Sequence, residues 1–237
     1  MAISPECLIR KDIISNKNPQ KAIKDILSIE DSNEQLTSLL ALAYFENREY
    51  EKARLLYKKL KMSYQEGYCE LLLGNDFNAA EIWFEAEDSP AVSWGRCLVN
   101  FVNLKVEYVP TFLQIRNFLE YDIGQLIRAQ QFEFAENLIS CNEVLANINL
   151  ETYKFIGRAL LHNGFVRQSK SYLMKSQSII PNDPEVYYHL AQYHYQMNEY
   201  DEAKKMATKC LYLNANYTPA RQLLLKIVGK LNLNQKQ

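Results

Sequence analysis

The chain has 237 residues, 48% of them hydrophobic and 12% aromatic, which is ample for a packed interior and unlike a disordered segment. Its 27 basic and 28 acidic residues leave a formal net charge of -1, which removes the main electrostatic argument for nucleic acid or an anionic membrane surface as partner. Cys7, Cys69, Cys97, Cys141 and Cys210 are odd in number, far apart and in no paired metal spacing, so they indicate neither a disulfide framework nor a zinc site. They are expected to sit in a reducing, cytoplasmic setting. Met1 to Asn16 shows no long apolar core and no cleavage signature, and no run is long enough to span a bilayer.

Taken in order, Ser4-Pro5-Glu6 and Asn18-Pro19 are two helix starts, a capping side chain followed by a proline preset for the first turn. They predict helices over Pro5 to Ser15 and Pro19 to Ile29, a hairpin whose Leu8, Ile9, Ile13, Ile14, Ala22, Ile23, Ile26 and Leu27 cap the array over residues 1–30. From Glu34, Leu40, Ala41 and Tyr44 fall on one helix, and Tyr50, Ala53, Tyr57 and Leu60 on the next. Twenty-seven residues later Ala80 and Phe84 repeat Ala53 and Tyr57, with Glu87 a poor counterpart of Leu60. This predicts two units over 34–88, the second shortened, with helices near Tyr64 to Leu73 and Phe77 to Ala86.

Ser89-Pro90 restarts a helix carrying Val92, Trp94, Cys97, Leu98, Phe101 and Val102, and Val109-Pro110 opens the next segment. Between Lys105 and Phe132 the spacing is helical but fits one bent helix or two equally well. Counting back 34 residues from Leu150 places Leu119, Ile123, Leu126, Ala135 and Ile139 at core positions, whereas Asp122 and Asn142 do not suit them. Residues 89–149 are therefore read as degenerate units.

From Leu150 one pattern is written twice. At an offset of 34, Tyr153 falls on Tyr187, Ile156 on Leu190, Gly157 on Ala191, Gly164 on Asn198, Ser169 on Ala203, Leu173 on Ala207 and Ser176 on Cys210. A fixed period of this size signals stacked helix pairs. The small residues Gly157, Ala191, Ser169 and Ala203 let the two helices of a pair approach closely.

The second copy, with Tyr187, Leu190, Ala191, Asn198, Tyr200 and Ala203, and with Pro181 closing the unit before it, resembles the tetratricopeptide repeat. Asn198 stands where Gly is usual, Ala215 where Pro is, Val166 where an aromatic is, and Ser169 where Ala is. The resemblance implies an all-α fold, a right-handed solenoid of antiparallel helix pairs with roughly 13 to 15 helices, in one domain spanning 1–237. Two well-matched repeats occupy 150–217, and a capping helix follows over 218–231. That helix carries apolar residues on more than one face, so Leu224, Ile227, Val228 and Leu231 are candidates for self-association.

Chemistry is sparse. His194 occupies a core repeat position, His189 lies on another face, and His162 sits at a turn; no phosphate loop, nucleophile elbow, metal motif or carboxylate pair stands out. The acidic run Glu85, Glu87 and Asp88 and the basic run Lys58, Lys59 and Lys61 are read as solvated helix ends. No catalytic, cofactor or metal residue is expected.

The resemblance implies instead an interaction surface on the first helix of each repeat. Its register gives Lys154, Arg158, Leu161 and His162 from one unit and Glu185, Tyr188, Gln192 and Tyr195 from the next, with Asn117, Glu120, Ile127 and Arg128 extending it. Arg with Tyr is typical of interface hot spots, so a mixed aromatic and basic groove is expected to hold a protein or peptide partner. A clamp for the terminal carboxylate of a chaperone tail is not expected: Arg158 replaces the Asn of that motif, Tyr188 and His189 its next amide, and Gln222 its last Arg. The function expected is a non-enzymatic scaffold or adaptor. The alternatives are a self-associating subunit of a larger assembly, such as a secretion, pilus or ubiquitin-ligase complex, and an enzyme or regulatory subunit with a pocket within 90–132 around Trp94, Arg96 and Tyr108.

Overall fold

The computed structural model describes residues 5–29 and 33–234, and among these every regular element is helical. The Ser4 cap lies outside the described residues. α1 (Pro5–Ile14) and α2 (Pro19–Leu27) form the first pair, and Asn18 caps α2 by accepting the Lys21 N–H at 3.2 Å. Asp12 fastens their turn, accepting from Lys21 Nζ and from Asn16 Nδ2, each at 2.6 Å. Ile9, Ile13, Ala22 and Ile26 face the core with Leu36 and Leu39, while Leu8, Ile14 and Leu27 remain exposed, so the expected apolar cap is only half used.

α3 (Glu34–Glu46) and α4 (Tyr50–Lys59) follow, with Ala41, Ala53, Tyr50 and Tyr57 buried. α5 (Ser63–Leu72) and α6 (Asp76–Glu85) make the shortened pair. Here the expected register is one residue off: Ala79 and Trp83 are the buried residues of α6, and Phe84, read from sequence as the core aromatic, is exposed. The reason is the slot that receives Trp83. A Cβ on Gly67 of α5 or on Gly95 of the next helix would stand 2.6 Å from the indole, so only glycine admits the ring there. Trp83 Nε1 then donates to the Tyr64 carbonyl at 3.1 Å.

α7 (Pro90–Val102) starts on the Ser89 cap, whose Oγ accepts the Val92 N–H at 3.1 Å. The ambiguous stretch is one continuous rod. α8 (Phe112–Gln114) opens on a Thr111–Gln114 capping box, passes through a π-helical turn, Ile115–Leu119, and continues as α9 (Glu120–Arg128). Ile115, Leu119, Ile123 and Leu126 are buried along it, and Asp122, read from sequence as unsuited to the interior, is fully buried too.

α10 (Phe132–Val144), α11 (Thr152–His162), α12 (Val166–Ile179), α13 (Pro184–Gln196), α14 (Tyr200–Leu213) and α15 (Thr218–Asn234) complete the chain. Counting the rod once gives 14 helices among the described residues. Short links between helices repeatedly use the left-handed backbone region, at Lys17, Arg48, Lys61, Gly74, Leu104, Gln130, Gly164 and Asn198. Gly164 and Asn198, one repeat apart, have φ of 91° and 61°; asparagine tolerates this region better than most residues, so its replacement of glycine leaves the turn intact.

The helices form two compact units. The first comprises the described residues to Tyr108 together with Ala129–Phe134, and the second comprises Val109–Arg128 and the described residues from Ala135. Within each, helices adjacent in sequence pack side by side. In the second unit Leu161, Leu173, Val186, Leu190 and Tyr193 form one core and Ala191, Ala203, Ala207, Leu223 and Ile227 another. No described helix is long and apolar enough to cross a membrane.

Candidate functional site

The residues expected to form a groove lie in the second unit, on α9, α11 and α13. Three first helices placed side by side bring their charged side chains into one array. Glu120 of α9 meets Arg158 of α11 at 3.0 Å, and its other oxygen is 3.6 Å from Nδ1 of His162. Arg158 also pairs closely with Glu185 of α13. Lys154 of α11 is enclosed by Glu151 at 2.7 Å, Asp183 at 2.8 Å and Glu185 at 3.2 Å. Asp183 caps α13 by accepting the Glu185 N–H at 2.9 Å, so this ion pair also fixes the helix start.

The electrostatics follow from these contacts. Burial is the largest single influence on Lys154 and opposes its charge, but Asp183, Glu151 and Glu185 together outweigh it and raise its pKa above the usual lysine value. His189 first, then Arg158 and Lys154, overcome the burial of Glu185 and hold its carboxyl down to about 2. His189, 3% exposed, is pushed the other way: burial lowers its pKa below 6.5, so it is neutral at physiological pH. Its Nδ1 is 2.7 Å from Gln192 Oε1, its Nε2 faces Glu185 Oε1 at 3.8 Å, beyond a direct hydrogen bond, and Gln192 Nε2 donates to the Tyr188 hydroxyl at 3.0 Å. Tyr188 stacks obliquely on Tyr217 at 5.3 Å, and the His162 and His189 rings meet edge to face at 5.5 Å.

The structure therefore redraws the expected set. Arg158, His162, Tyr188 and Gln192 stand together in the array. Lys154 is a correction: at 4% exposed it is a buried structural cation, because the start of α13 folds two carboxylates over it. Leu161 is likewise core. Arg128 lies apart from the ion array, donating to Asn163 Oδ1 at 2.8 Å, and Tyr195 packs on Tyr200 of α14 at 5.7 Å. Glu151, Asp183 and His189 were not in the expected set. The signals for the two carboxylates were the Glu151–Lys154 spacing and the Asp183-Pro184 helix start. The array contains four carboxylates, Glu120, Glu151, Asp183 and Glu185, against the two cations Lys154 and Arg158, so it is acidic rather than basic.

The self-association set is also redrawn. Ile227 is fully buried against Ala191, Ala203 and Ala207, and Leu224, Val228 and Leu231 are half-buried. Among the described side chains of α15, Leu225 is the large apolar one left to solvent. The pocket expected within 90–132 does not assemble from its three residues. Trp94 is core, and Arg96 spends its guanidinium on the carbonyls of Trp83 and Ala86 and on Asp88. Tyr108 rests on Phe84. A concavity of about 920 Å³ opens in the first unit between α1, α3 and the α4–α5 region, lined by Arg10, Ser38, Leu42, Tyr57 and Met62 among others. Among the described residues no group of three or more His, Cys, Asp or Glu side chains is placed to hold a metal ion. Cys69, Cys97, Cys141 and Cys210 are buried and in no disulfide, and that burial raises their pKa.

The tetratricopeptide repeat model matches residues 184–217, the segment spanning α13, α14 and the link to α15. No curated protein matches the chain in sequence. Among solved structures, the chain is similar to the tetratricopeptide domain of P58(IPK), with 17% identity over 98% of this chain and 67% of that one and a TM-score of 0.42. It is also similar to a tetratricopeptide repeat protein from Parabacteroides merdae, with 12% identity over 93% and 97% and a TM-score of 0.40. The human IFIT1 dimer bound to a capped RNA matches with 15% identity over 98% and 64% and a TM-score of 0.40.

Proposed function

We propose that this chain, with a tetratricopeptide repeat at 184–217, is a non-catalytic interaction protein that takes up a segment of a protein partner on the face formed by α9, α11 and α13. The observation that carries this reading is the acidic array itself. Its cations are spent on intramolecular pairs, whereas His162 is 43% exposed and Glu120 and Glu185 are 26% and 30% exposed, which leaves acceptor atoms facing solvent. Such a face suits a partner that brings cationic side chains or backbone N–H groups, and it disfavours one that ends in a carboxylate. Tyr188 and Tyr195 add rigid, half-buried aromatic surface beside it. Cysteines that form no disulfide fit a reducing, cytoplasmic setting.

The test is affinity capture from the cell extract of origin with a His162→Ala/Tyr195→Ala double variant. A Lys204→Ala/Thr208→Ala variant on the exposed side of α14 serves as control. The proposal expects the first variant to lose the captured protein and the control to retain it. Undiminished capture by the first variant would rule the face out.

A further inference from the structure

Charges that nearly cancel over the whole chain do not cancel locally. The sequence of the first unit holds 18 acidic and 13 basic residues, and that of the second 10 acidic and 14 basic. On α6 the excess lies along one stripe: Phe77, Glu81, Phe84 and Glu85 follow at helical spacing and are all exposed, Phe77 to 78%, with Glu87 and Asp88 just past the helix end. Asp88 is paired with Arg96, but Glu81, Glu85 and Glu87 make no ion pair among the described residues. No local cation accounts for these three, although the half-exposed Phe84 ring touches Tyr108 and lies under the Arg96 guanidinium at 5.8 Å. Carboxylates at the C-terminal end of a helix are opposed by its dipole, and two exposed phenylalanines between them cost solvation without adding to their own core.

On α15 the composition is reversed. Ala220, Leu223 and Ile227 face inward, while Arg221, Leu225, Lys226 and Lys230 face outward, and the helix contains no acidic residue. Leu225 is 71% exposed, and a Cβ on Gly229 would meet nothing within 4 Å, so the outward face is open there. α12 is also free of acids, but its Lys175 is paired with Glu143 and its Lys170 lies over the Tyr193 ring. Lys226 and Lys230 have no such partner among the described residues.

We propose that these two faces are the halves of one contact between copies of this chain: the outward face of α15, centred on Leu225, Lys226 and Lys230, docks on the acidic and aromatic stripe of α6 in a second copy. The charges complement one another, Leu225 meets Phe77 and Phe84, and the opposite excess on the two units orients the approach. The contact is heterologous, so each copy keeps one free half and chains of copies can grow. The stripe on α6, Phe77 to Glu85, is about 12 Å long by helical rise, which is small for a stable interface, so the association is weak, concentration-dependent and sensitive to salt.

Light scattering across a concentration series tests this, using wild-type chain, a Lys226→Glu/Lys230→Glu variant and a Glu81→Lys/Glu85→Lys variant, all four positions being exposed. The wild-type mass should rise with concentration at low salt and return to the monomer value at high salt. Each variant alone should associate at least ~10-fold more weakly, since its two faces now repel. An equimolar mixture of the two should regain association, because each supplies the charge the other lacks. A wild-type chain monomeric throughout, association that survives both reversals, or a mixture that stays monomeric would each overturn the proposal.

Discussion

At the scale of single residues, Lys154 decides more than its exposure in the repeat register suggested. Replacing it with Ala leaves Glu151 and Asp183 without a counter-charge in a largely buried setting, Glu185 keeping only Arg158, and the chain should lose about 3 kcal/mol, read as a shift of the denaturant midpoint. His189 gives a pH signature. Burial lowers its pKa, so the unfolded chain takes up the proton more readily, and stability should fall as pH drops below 6.5. Chemical denaturation at neutral pH and about one unit below 6.5 should show that loss, and His189→Gln should flatten it. Glu185 acts in a lower window, contributing stability above 4.5 that is lost as pH falls toward 2. The repeat spacing put Arg158, His162, Tyr188 and Gln192 on one face, but it could not show that the capping Asp183 of the following helix would bury Lys154. Periodicity reports which side of a helix a residue occupies, not what the next helix lays over it. Asn142 teaches the same point. Judged too polar for the core, it is fully buried, its Nδ2 donating to the Leu138 carbonyl at 2.9 Å.

At the scale of elements, helix starts were legible where a capping side chain precedes a proline, as at Asn18 and Ser89. The register of α6 was not, because glycines on two neighbouring helices set it. The slot that Gly67 and Gly95 leave for Trp83 draws the indole inward and turns Phe84 out. Gly95→Ala should therefore destabilise the chain by about 1–3 kcal/mol through overpacking. Gly157→Ala should act similarly, since its Cβ would stand 2.8 Å from Leu173 Cδ2 and 3.2 Å from the Leu173 amide nitrogen. Thermal melting of each variant checks both. The π-helical turn at Ile115–Leu119 was invisible to a 3.6-residue pattern for a related reason: it changes the period inside a continuous rod, so one helix and two fit the apolar spacing equally. In the turns, Leu104 holds φ of 56° with its side chain exposed. Leu104→Gly should raise stability by about 0.5 kcal/mol, the relief of a left-handed leucine less the extra freedom of glycine when unfolded.

At the scale of the molecule, a composition that balances to -1 conceals an acidic unit and a basic one, and within the basic unit an acidic face. Whole-chain charge gave no electrostatic reason to expect a polyanion partner, and it said nothing about where like charges gather. Only the fold brings Glu120 of α9 and the α13 carboxylates Asp183 and Glu185 together around the cations of α11, which is why the face was expected to be basic and is not. The central claim is that this face, rather than the exposed side of α14, is where a protein partner sits. Photocrosslinking in the native extract, with a photoreactive phenylalanine placed in turn at His162, Tyr195 and Thr208, tests it most directly. Adducts to a protein from positions 162 and 195, with none from 208, are the predicted result. Adducts from 208 alone, or from none of the three, would contradict it.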